Sequence, residues 1–234
     1  MQNEFKKSGY LYEDYRVFHN ADTHKKDIPF HYHDFHNLFL FLSGNVSYIV
    51  EGRQYDLLPR DMILVSAGRI HRPVIHDHSL YERVIFYISP HFFEHDRLEG
   101  TDLFQCFQHC EECHSSLIRP DDGSQKHLQR LITEIKNSVH DSGYGADLFR
   151  RLKFTELLLL INRSLQKKEY TAEKEAASNP IVLKAMDFIN RSLSDDSLSV
   201  DRVAGEVALN RSYLMHLFKA QTGYTIGEDR KSVV

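Results

Sequence analysis

Val200–Phe218 reads VDRVAGEVALNRSYLMHLF, and the spacing of its apolar residues decides what the C-terminal part of this chain is. Two helices that cross steeply share a small core, so only a few positions have to be apolar. Counting Val200 as the first, positions 4, 8, 10, 15 and 18 are Val203, Val207, Leu209, Leu214 and Leu217, all aliphatic. Position 5, where the helices come closest, is the small Ala204. Position 9 suits glycine, because the sharp turn asks for backbone that a side chain resists; here it is Ala208. Ser199 and Asn210 are good N-caps for the two helices, and Arg202 rather than an acidic residue follows Ser199 by three, so no capping box forms. Arg211, Ser212, Met215, His216 and Lys219 are left facing outward on the second helix, with Asn210 at its start. An arginine can read guanine bidentately, a serine can serve base or phosphate, and a lysine can neutralise phosphate. A generic helical hairpin with a solvated polar face would carry the same pattern.

Outward from this stretch, Asn179-Pro180 opens another helix, with Asn179 as cap and Pro180 in the first turn. Residues 169–179 are polar and alanine-rich and are expected to be a linker. Before it, Ser124 to His140 places Leu128, Leu131, Ile132, Ile135 and Val139 at helical spacing, and Ala146 to Gln166 does the same with Leu148, Leu152, Leu158, Leu159 and Ile161. The second of these helices is apolar over much of its surface, so it must pack on something. Residues 123–168 therefore form a helical connector and the expected dimer interface.

From Ile28 to Pro90 the pattern is β-like. Asn37 to Leu42, Val46 to Val50, Tyr55 to Leu58, Met62 to Val65 and Arg83 to Ile88 are separated by Ser43-Gly44-Asn45, Glu51-Gly52-Arg53, Pro59-Arg60-Asp61 and Ala67-Gly68-Arg69. Short strands at regular spacing predict an antiparallel sandwich or small barrel over residues 1–122. The fold class is thus α+β: an antiparallel β-barrel, a helical connector, then an all-α helix-turn-helix over residues 180–228. A formal charge of −4 gives no global basic field, so any nucleic-acid contact has to come from a local patch. Neither an apolar leader nor a run long enough to span a bilayer is present, which makes the cytoplasm the expected location and excludes a membrane partner.

SLSVDRVAGEVALNRSYLMHLFKAQTGYTI resembles the first helix-turn-helix of the arabinose-operon-regulator (AraC/XylS) family. Leu198, Ser199, Val200, Val203, Ala204, Tyr213, Leu214, Phe218, Lys219 and Gly223 match its pattern, and Asn210 stands where the family often has serine. The resemblance implies an effector-responsive, sequence-specific transcription regulator, not an enzyme, with operator DNA and a small-molecule effector (a sugar among the candidates) as partners and a homodimer as the assembly. It also implies a second helix-turn-helix unit, which this chain lacks, so weak DNA binding is expected of it. The tail Asp229-Arg230-Lys231-Ser232-Val233-Val234 back-translates to a common sequencing-adapter sequence, and residues 229–234 are expected to be non-native.

Pro29 to Pro73 resembles a cupin-type barrel. Metal-binding cupins use H-x-H, a glutamate four residues after the second histidine, and a later histidine. His31, His33 and His71 match, whereas Asn37 replaces the glutamate, Arg60 stands where glycine is usual, and Ala67 where proline is common. Alternation puts both residues of an H-x-H on one strand face. Sensor domains of the family mostly take organic effectors without metal, so the expected effector set is His31, Tyr32, His33, Asn37, Phe39 and His71, with no cofactor and no metal. The alternative is a metal-dependent cupin dioxygenase or isomerase using His31, His33 and His71; without the carboxylate, three imidazoles favour zinc, nickel or copper over manganese. Purely structural histidines are a third reading. Cys110-Glu111-Glu112-Cys113-His114 matches the C-x-x-C-H of covalent haem, but attachment normally needs export. With Cys106 and His109 it could also clamp zinc, though reduced, structurally minor cysteines explain it more simply.

Overall fold

The computed structural model describes residues 6–24, 27–95, 100–120, 125–166, 170–171, 179–192, 197–222 and 225–226. Its strands are β1 (Lys6–Lys7), β2 (Tyr15–Asp22), β3 (His31–Tyr32), β4 (His36–Ser43), β5 (Val46–Val50), β6 (Arg53–Asp56), β7 (Met62–Val65), β8 (His71–Ile75) and β9 (Tyr81–Ile88), joined later by β10 (Leu117–Pro120) and β11 (Tyr170–Thr171). The helices are α1 (Pro90–His95), α2 (Gln105–Glu112), α3 (Gln125–Ser138), α4 (Ala146–Gln166), α5 (Pro180–Arg191), α6 (Val200–Glu206) and α7 (Arg211–Thr222). Two sheets result, one ordered β1-β3-β8-β5-β6 and the other β11-β10-β7-β4-β9-β2. Pairing is antiparallel except between β1 and β3.

The continuous apolar run of β4 follows from its place at the centre of the larger sheet. Leu38 and Leu40 pack outward against Phe154, Leu157 and Leu158 of α4 and against α2 and α3. Phe39 and Phe41, pointing the other way, pack inside with Tyr48, Tyr55 and Ile63. Burial on both faces removes the polar alternation a half-exposed strand would show. α4 turns Leu157, Leu158 and Ile161 to the sheet and leaves Leu148, Phe149, Leu152 and Leu159 exposed. Among the described residues, no helix is long and apolar enough to cross a membrane.

Several elements lack a clear sequence signal. β2 is an edge strand whose described backbone pairing is with β9; Tyr15 and Val17 pack on the helix-side core, and the rest of the strand is held by His19–Glu82 and Arg83–Asp22 ion pairs. α2 uses Cys106, Phe107 and Cys110 as its buried face. The strand expected over Tyr55 to Leu58 lies instead at β6, because the Leu58 amide donates to the Asp61 carboxylate and Arg60 sits at φ 81, closing a turn. Buried Asp61 is in turn paired with Arg119. Tyr170–Thr171, inside the expected linker, pairs with β10. Gly223, residues 172–178 and the tail 229–234 lie outside the described residues.

The helix-turn-helix follows the sequence reading closely. The Ser199 hydroxyl accepts from the Arg202 amide and the Asn210 carboxamide from the Tyr213 amide, capping α6 and α7. Between them Ala208 adopts φ 54 and its amide donates to the Gly205 carbonyl. Val203, Ala204, Val207, Leu214 and Phe218 join Val182, Ala185 and Ile189 of α5 in one core.

Candidate effector site and nucleic-acid interface

His31 and His71 are direct cross-strand partners where β3 meets β8, and His33 lies two residues along the same face. Ring centroids are 4.5 Å apart for His31–His71, 4.7 Å for His33–His71 and 5.2 Å for His31–His33. Each Nδ1 lies against a backbone carbonyl: His31 on Pro29 at 2.9 Å, His33 on Ser8 at 3.0 Å, His71 on Arg69 at 2.8 Å. A carbonyl can only accept, so each Nδ1 carries the hydrogen and each neutral ring keeps a bare lone pair on Nε2. One ligand atom from each ring gathers within 4.8 Å, and the Nε2 atoms of buried His33 and His71 have no hydrogen-bond partner. Burial first, and then the neighbouring His31, lowers the His33 pKa to about 4; the same two causes in the same order lower His71 to about 3.

The surroundings are aromatic. Tyr48 stacks over His71 at 6.0 Å, Phe39 touches Tyr48 at 4.9 Å, Phe35 stacks on His33 at 4.5 Å, and Tyr87 stands 5.4 Å from His33. Asn37 is the cross-strand partner of Tyr87, so the two share a face, and its buried Oδ1 also lacks a partner. The structure therefore brings His31, His33, Asn37, Phe39 and His71 to one side of the barrel. Tyr32 is separated from them. It lies between two inward-facing histidines, so alternation sends it outward to pack beside the helix-turn-helix core, which corrects its place in the expected effector set. Tyr87 and Phe35 were not anticipated; period-two alternation along β9 is the signal that would have pointed to Tyr87.

On the other domain, Arg211, Ser212, His216 and Lys219 are exposed along α7 and Met215 is half-buried. Tyr213 is 54% exposed and extends this face, a residue outside the expected set. Asn210 faces inward to its own helix as the cap, so its carboxamide oxygen is already engaged. Arg211 pairs with Asp201 at 2.8 Å; both side chains are more than half exposed, so the pair is weak and can be exchanged for phosphate or base.

The two sites meet through the backs of the strands that hold the histidines. Ile70 is buried in the helix-turn-helix core, with Phe30 and Tyr32 packed at its edge. The Glu51 carboxylate accepts from the Ile70 amide at 2.6 Å, and the Glu51 amide donates to the Ile70 carbonyl. At the next residue, a Cβ on Gly52 would stand 2.8 Å from Thr222 Cγ2 and 3.4 Å from Met186 Sδ. Only glycine fits between that turn and helices α5 and α7.

Two further clusters hold chemically active side chains. Cys106 and Cys110 are buried, their thiols pushed up by burial (Cys110 to about 12), while Cys113 is exposed with its Sγ 3.5 Å from His109 Nε2. Cys106 and Cys110 share the apolar core beneath α2, and among the described residues only the histidine triad gathers three or more potential metal-ligating groups. An open cleft of about 530 Å³ contains Ser47, Asp56 and His76. There the Ser47 hydroxyl bonds both the Asp56 carboxylate and the His76 imidazole.

Residues 15–158, more than half of the chain, match the AraC-like ligand binding domain, and residues 189–231 match the bacterial regulatory helix-turn-helix proteins of the AraC family. The arabinose operon regulatory protein of Escherichia coli (strain K12) is 26% identical over 75% of this chain and 56% of its own length. The HTH-type transcriptional activator RhaS of Shigella sonnei is 24% identical over 85% of this chain and 68% of its own. The crystal structure of the AraC-like transcriptional activator CuxR superposes with a TM-score of 0.37 at 14% identity, covering 86% of this chain and 66% of that one. The chain spans a little more than half the length of the arabinose operon regulatory proteins it matches. On the ligand-binding and helix-turn-helix matches together, this chain belongs to the AraC family of bacterial regulatory proteins.

Proposed function

We propose that this chain senses a small effector in its barrel and passes that state to a DNA-reading helix, as part of a sequence-specific transcription regulator working in the bacterial cytoplasm. The observation that carries the reading is the shared core: Ile70 and Tyr32 lie beside the triad histidines in sequence and pack with α5 and α7 in space. An effector that alters β3 or β8 then changes what the helix unit rests on, and it shifts the unit only by as much as it prefers one arrangement. The same contact favours a regulator over a cupin enzyme, since an enzyme has no use for a helix-turn-helix core built on its binding strands.

The proposed effector is a small polar metabolite, and the relative named for the arabinose operon supports carbohydrate chemistry. Bare imidazole lone pairs take hydroxyl donors and aromatic faces stack on sugar rings. Dimerisation through α4 is supported by exposed Leu148, Leu152 and Leu159, spaced four and seven apart on one face. Arg211, Ser212, His216 and Lys219 are the residues proposed to contact operator DNA.

Selection of bound sequences from a random duplex library tests the reading. An enriched motif whose preference relaxes in Arg211→Ala and His216→Ala is expected, at about 1–3 kcal/mol per lost base contact. Equal weakening on every sequence would make both residues phosphate contacts, and no enrichment at all would remove the DNA-reading role.

A further inference from the structure

We propose that Cys113 and Cys110, with His109 beside them, form a redox-active thiol pair that hydroperoxides oxidise to an intramolecular disulfide. The C-terminal end of α2 brings together a cysteine open to solvent, a second cysteine beneath it and an imidazole. Cys113 is exposed, whereas Cys110 is only 8% exposed. Residues three and four apart on a helix are neighbours on one face, so Cys113 lies next to both Cys110 and His109. The Cys113 Sγ is 3.5 Å from His109 Nε2, within reach of a sulfur hydrogen bond. The Cys110 thiol is pushed up to about 12, by burial first and then by the charge of nearby Cys113. Cys110 therefore stays a thiol and is not the first to react. Cys106, one turn back, is fully buried in the core beneath α2.

The unequal burial assigns the steps. The Cys113 sulfur attacks the terminal oxygen of a hydroperoxide while its proton passes to His109 Nε2, in the tautomer with hydrogen on Nδ1. An S–O bond forms and the O–O bond breaks. Sulfur is oxidised by two electrons to the sulfenic acid, and the reduced peroxide leaves as an alcohol, or as water from hydrogen peroxide, taking the proton back from the imidazole. The Cys110 sulfur then attacks the Cys113 sulfur. An S–S bond forms, the S–O bond breaks, and the departing hydroxide takes the Cys110 proton and leaves as water.

The closing step asks the backbone to move. Cβ atoms three residues apart stand ~5–6 Å from each other on a helix, and a disulfide needs about 3.5–4.5 Å. The chain can yield there, because Cys113 is the C-cap and His114 turns away at φ 51. The bonds that closing would loosen are the Cys113 amide on the His109 carbonyl, 2.9 Å, and the Ser115 amide on the Cys110 carbonyl, 3.0 Å. Glu111 lies in the same turn, its carboxylate 4.0 Å from the Arg69 guanidinium, and the Arg69 carbonyl orients His71. Oxidation at α2 is thereby passed to the loop behind the effector site. That coupling rests on the regulatory reading above; the thiol pair itself does not.

The full-length chain, reduced, treated with hydrogen peroxide and then unfolded and alkylated, should lose two hydrogens by mass, with Cys106 as the thiol left to alkylate. Cys110→Ala should stop at a sulfenic acid on Cys113 that dimedone traps. Cys113→Ser should keep both of its thiols; as Cys113 is exposed, this variant still decides should Cys110→Ala fail to fold. His109→Gln should slow loss of the Cys113 thiol at least about tenfold. Three free thiols after peroxide, a disulfide that includes Cys106, one that joins two chains, or oxidation undiminished in Cys113→Ser would each overturn the pair. A rate unchanged in His109→Gln would overturn the part given to the imidazole. Amide exchange at Gly68 and Ile70, measured on the same samples, should quicken in the oxidised chain. A disulfide formed with unchanged exchange would overturn the coupling, while the sequence-selection experiment judges DNA reading separately.

Discussion

The barrel and the helix-turn-helix unit are held together in different ways. The larger sheet carries a core on each face, Leu38, Leu40, Val84 and Phe86 against the helices and Phe39, Phe41, Ile63 and Val65 inside. Among the described residues, both cores close without any residue from the helix-turn-helix unit. The helix unit has one smaller core, and that core is completed by Ile70 of the barrel. A short helical segment buries too little surface to be secure alone. Leaning on the barrel therefore serves stability, and in the proposed regulator it would also let a change at the barrel rim reach α5 to α7.

The largest effect should come from Phe218→Ala, which empties the centre of the smaller core, where Phe218 is fully buried. A loss of about 3–5 kcal/mol is expected. Amide exchange should locate it in α5, α6 and α7, with β4 and β9 as protected as before. Equal loss of protection in the sheet would mean that the two regions unfold as one unit and that the contrast between them is only geometric.

Ile70→Ala sharpens the comparison because the residue belongs to the barrel by sequence and to the helix unit by contact. Truncating a buried isoleucine costs about 2–5 kcal/mol, and the lower end is expected at this rim position. The loss should again appear in α5 and α7. If exchange rises in β5 and β8 instead, Ile70 supports its own sheet and the helix unit does not depend on the barrel.

The helix unit was largely legible in the sequence because its constraints are local. Val203, Val207, Leu209, Leu214 and Leu217 had to be aliphatic within one short stretch, and α6, α7 and both caps follow from it. In the barrel, strands with apolar or β-branched runs were legible, while β2 was not, since an edge strand stabilised by ion pairs carries no such run. The triad was visible as H-x-H plus a later histidine, but its tautomers depend on the carbonyls of Ser8, Pro29 and Arg69, which no spacing rule connects. Nor could spacing show that Ile70 leaves its own barrel, because that contact joins residues more than a hundred positions apart. Tyr32 was misplaced for a simpler reason: nearness in sequence outweighed the alternation that sends neighbours to opposite faces.

His36 separates burial from function. Like the triad histidines it is buried, and burial lowers its pKa from 6.5 to about 4, opposed only by the Glu111 charge. Yet its Nδ1 accepts from the Ala67 amide, and Phe93, Phe104 and Phe107 surround the ring. It is a packed structural residue. The unfolded chain takes up a proton near pH 6.5 that the folded chain refuses until about pH 4. The stability it contributes is therefore complete above pH 6.5 and is lost as pH falls through that window, by up to about 1.4 kcal/mol per pH unit. His36→Leu should flatten the dependence of unfolding free energy on pH between 6.5 and 4 by that slope. An unchanged slope would mean that the ring is already protonated in the folded chain.

The smallest effect should be a gain. Ala208 holds φ 54 in the turn between α6 and α7, a conformation that costs an L-residue about 1–2 kcal/mol. Glycine removes that cost and adds about 0.5–1 kcal/mol of unfolded-state entropy against folding. Ala208→Gly should therefore stabilise the helix unit by about 0.5–1 kcal/mol, read as slower exchange in α6 and α7 with the sheet unmoved. The gain also bears on the shared core. If the unit leans on Ile70 because its own turn is strained, Ala208→Gly should reduce the penalty of Ile70→Ala in the double variant. If the two changes simply add, turn strain and the barrel contact are independent, and the dependence on Ile70 comes from the size of the core alone.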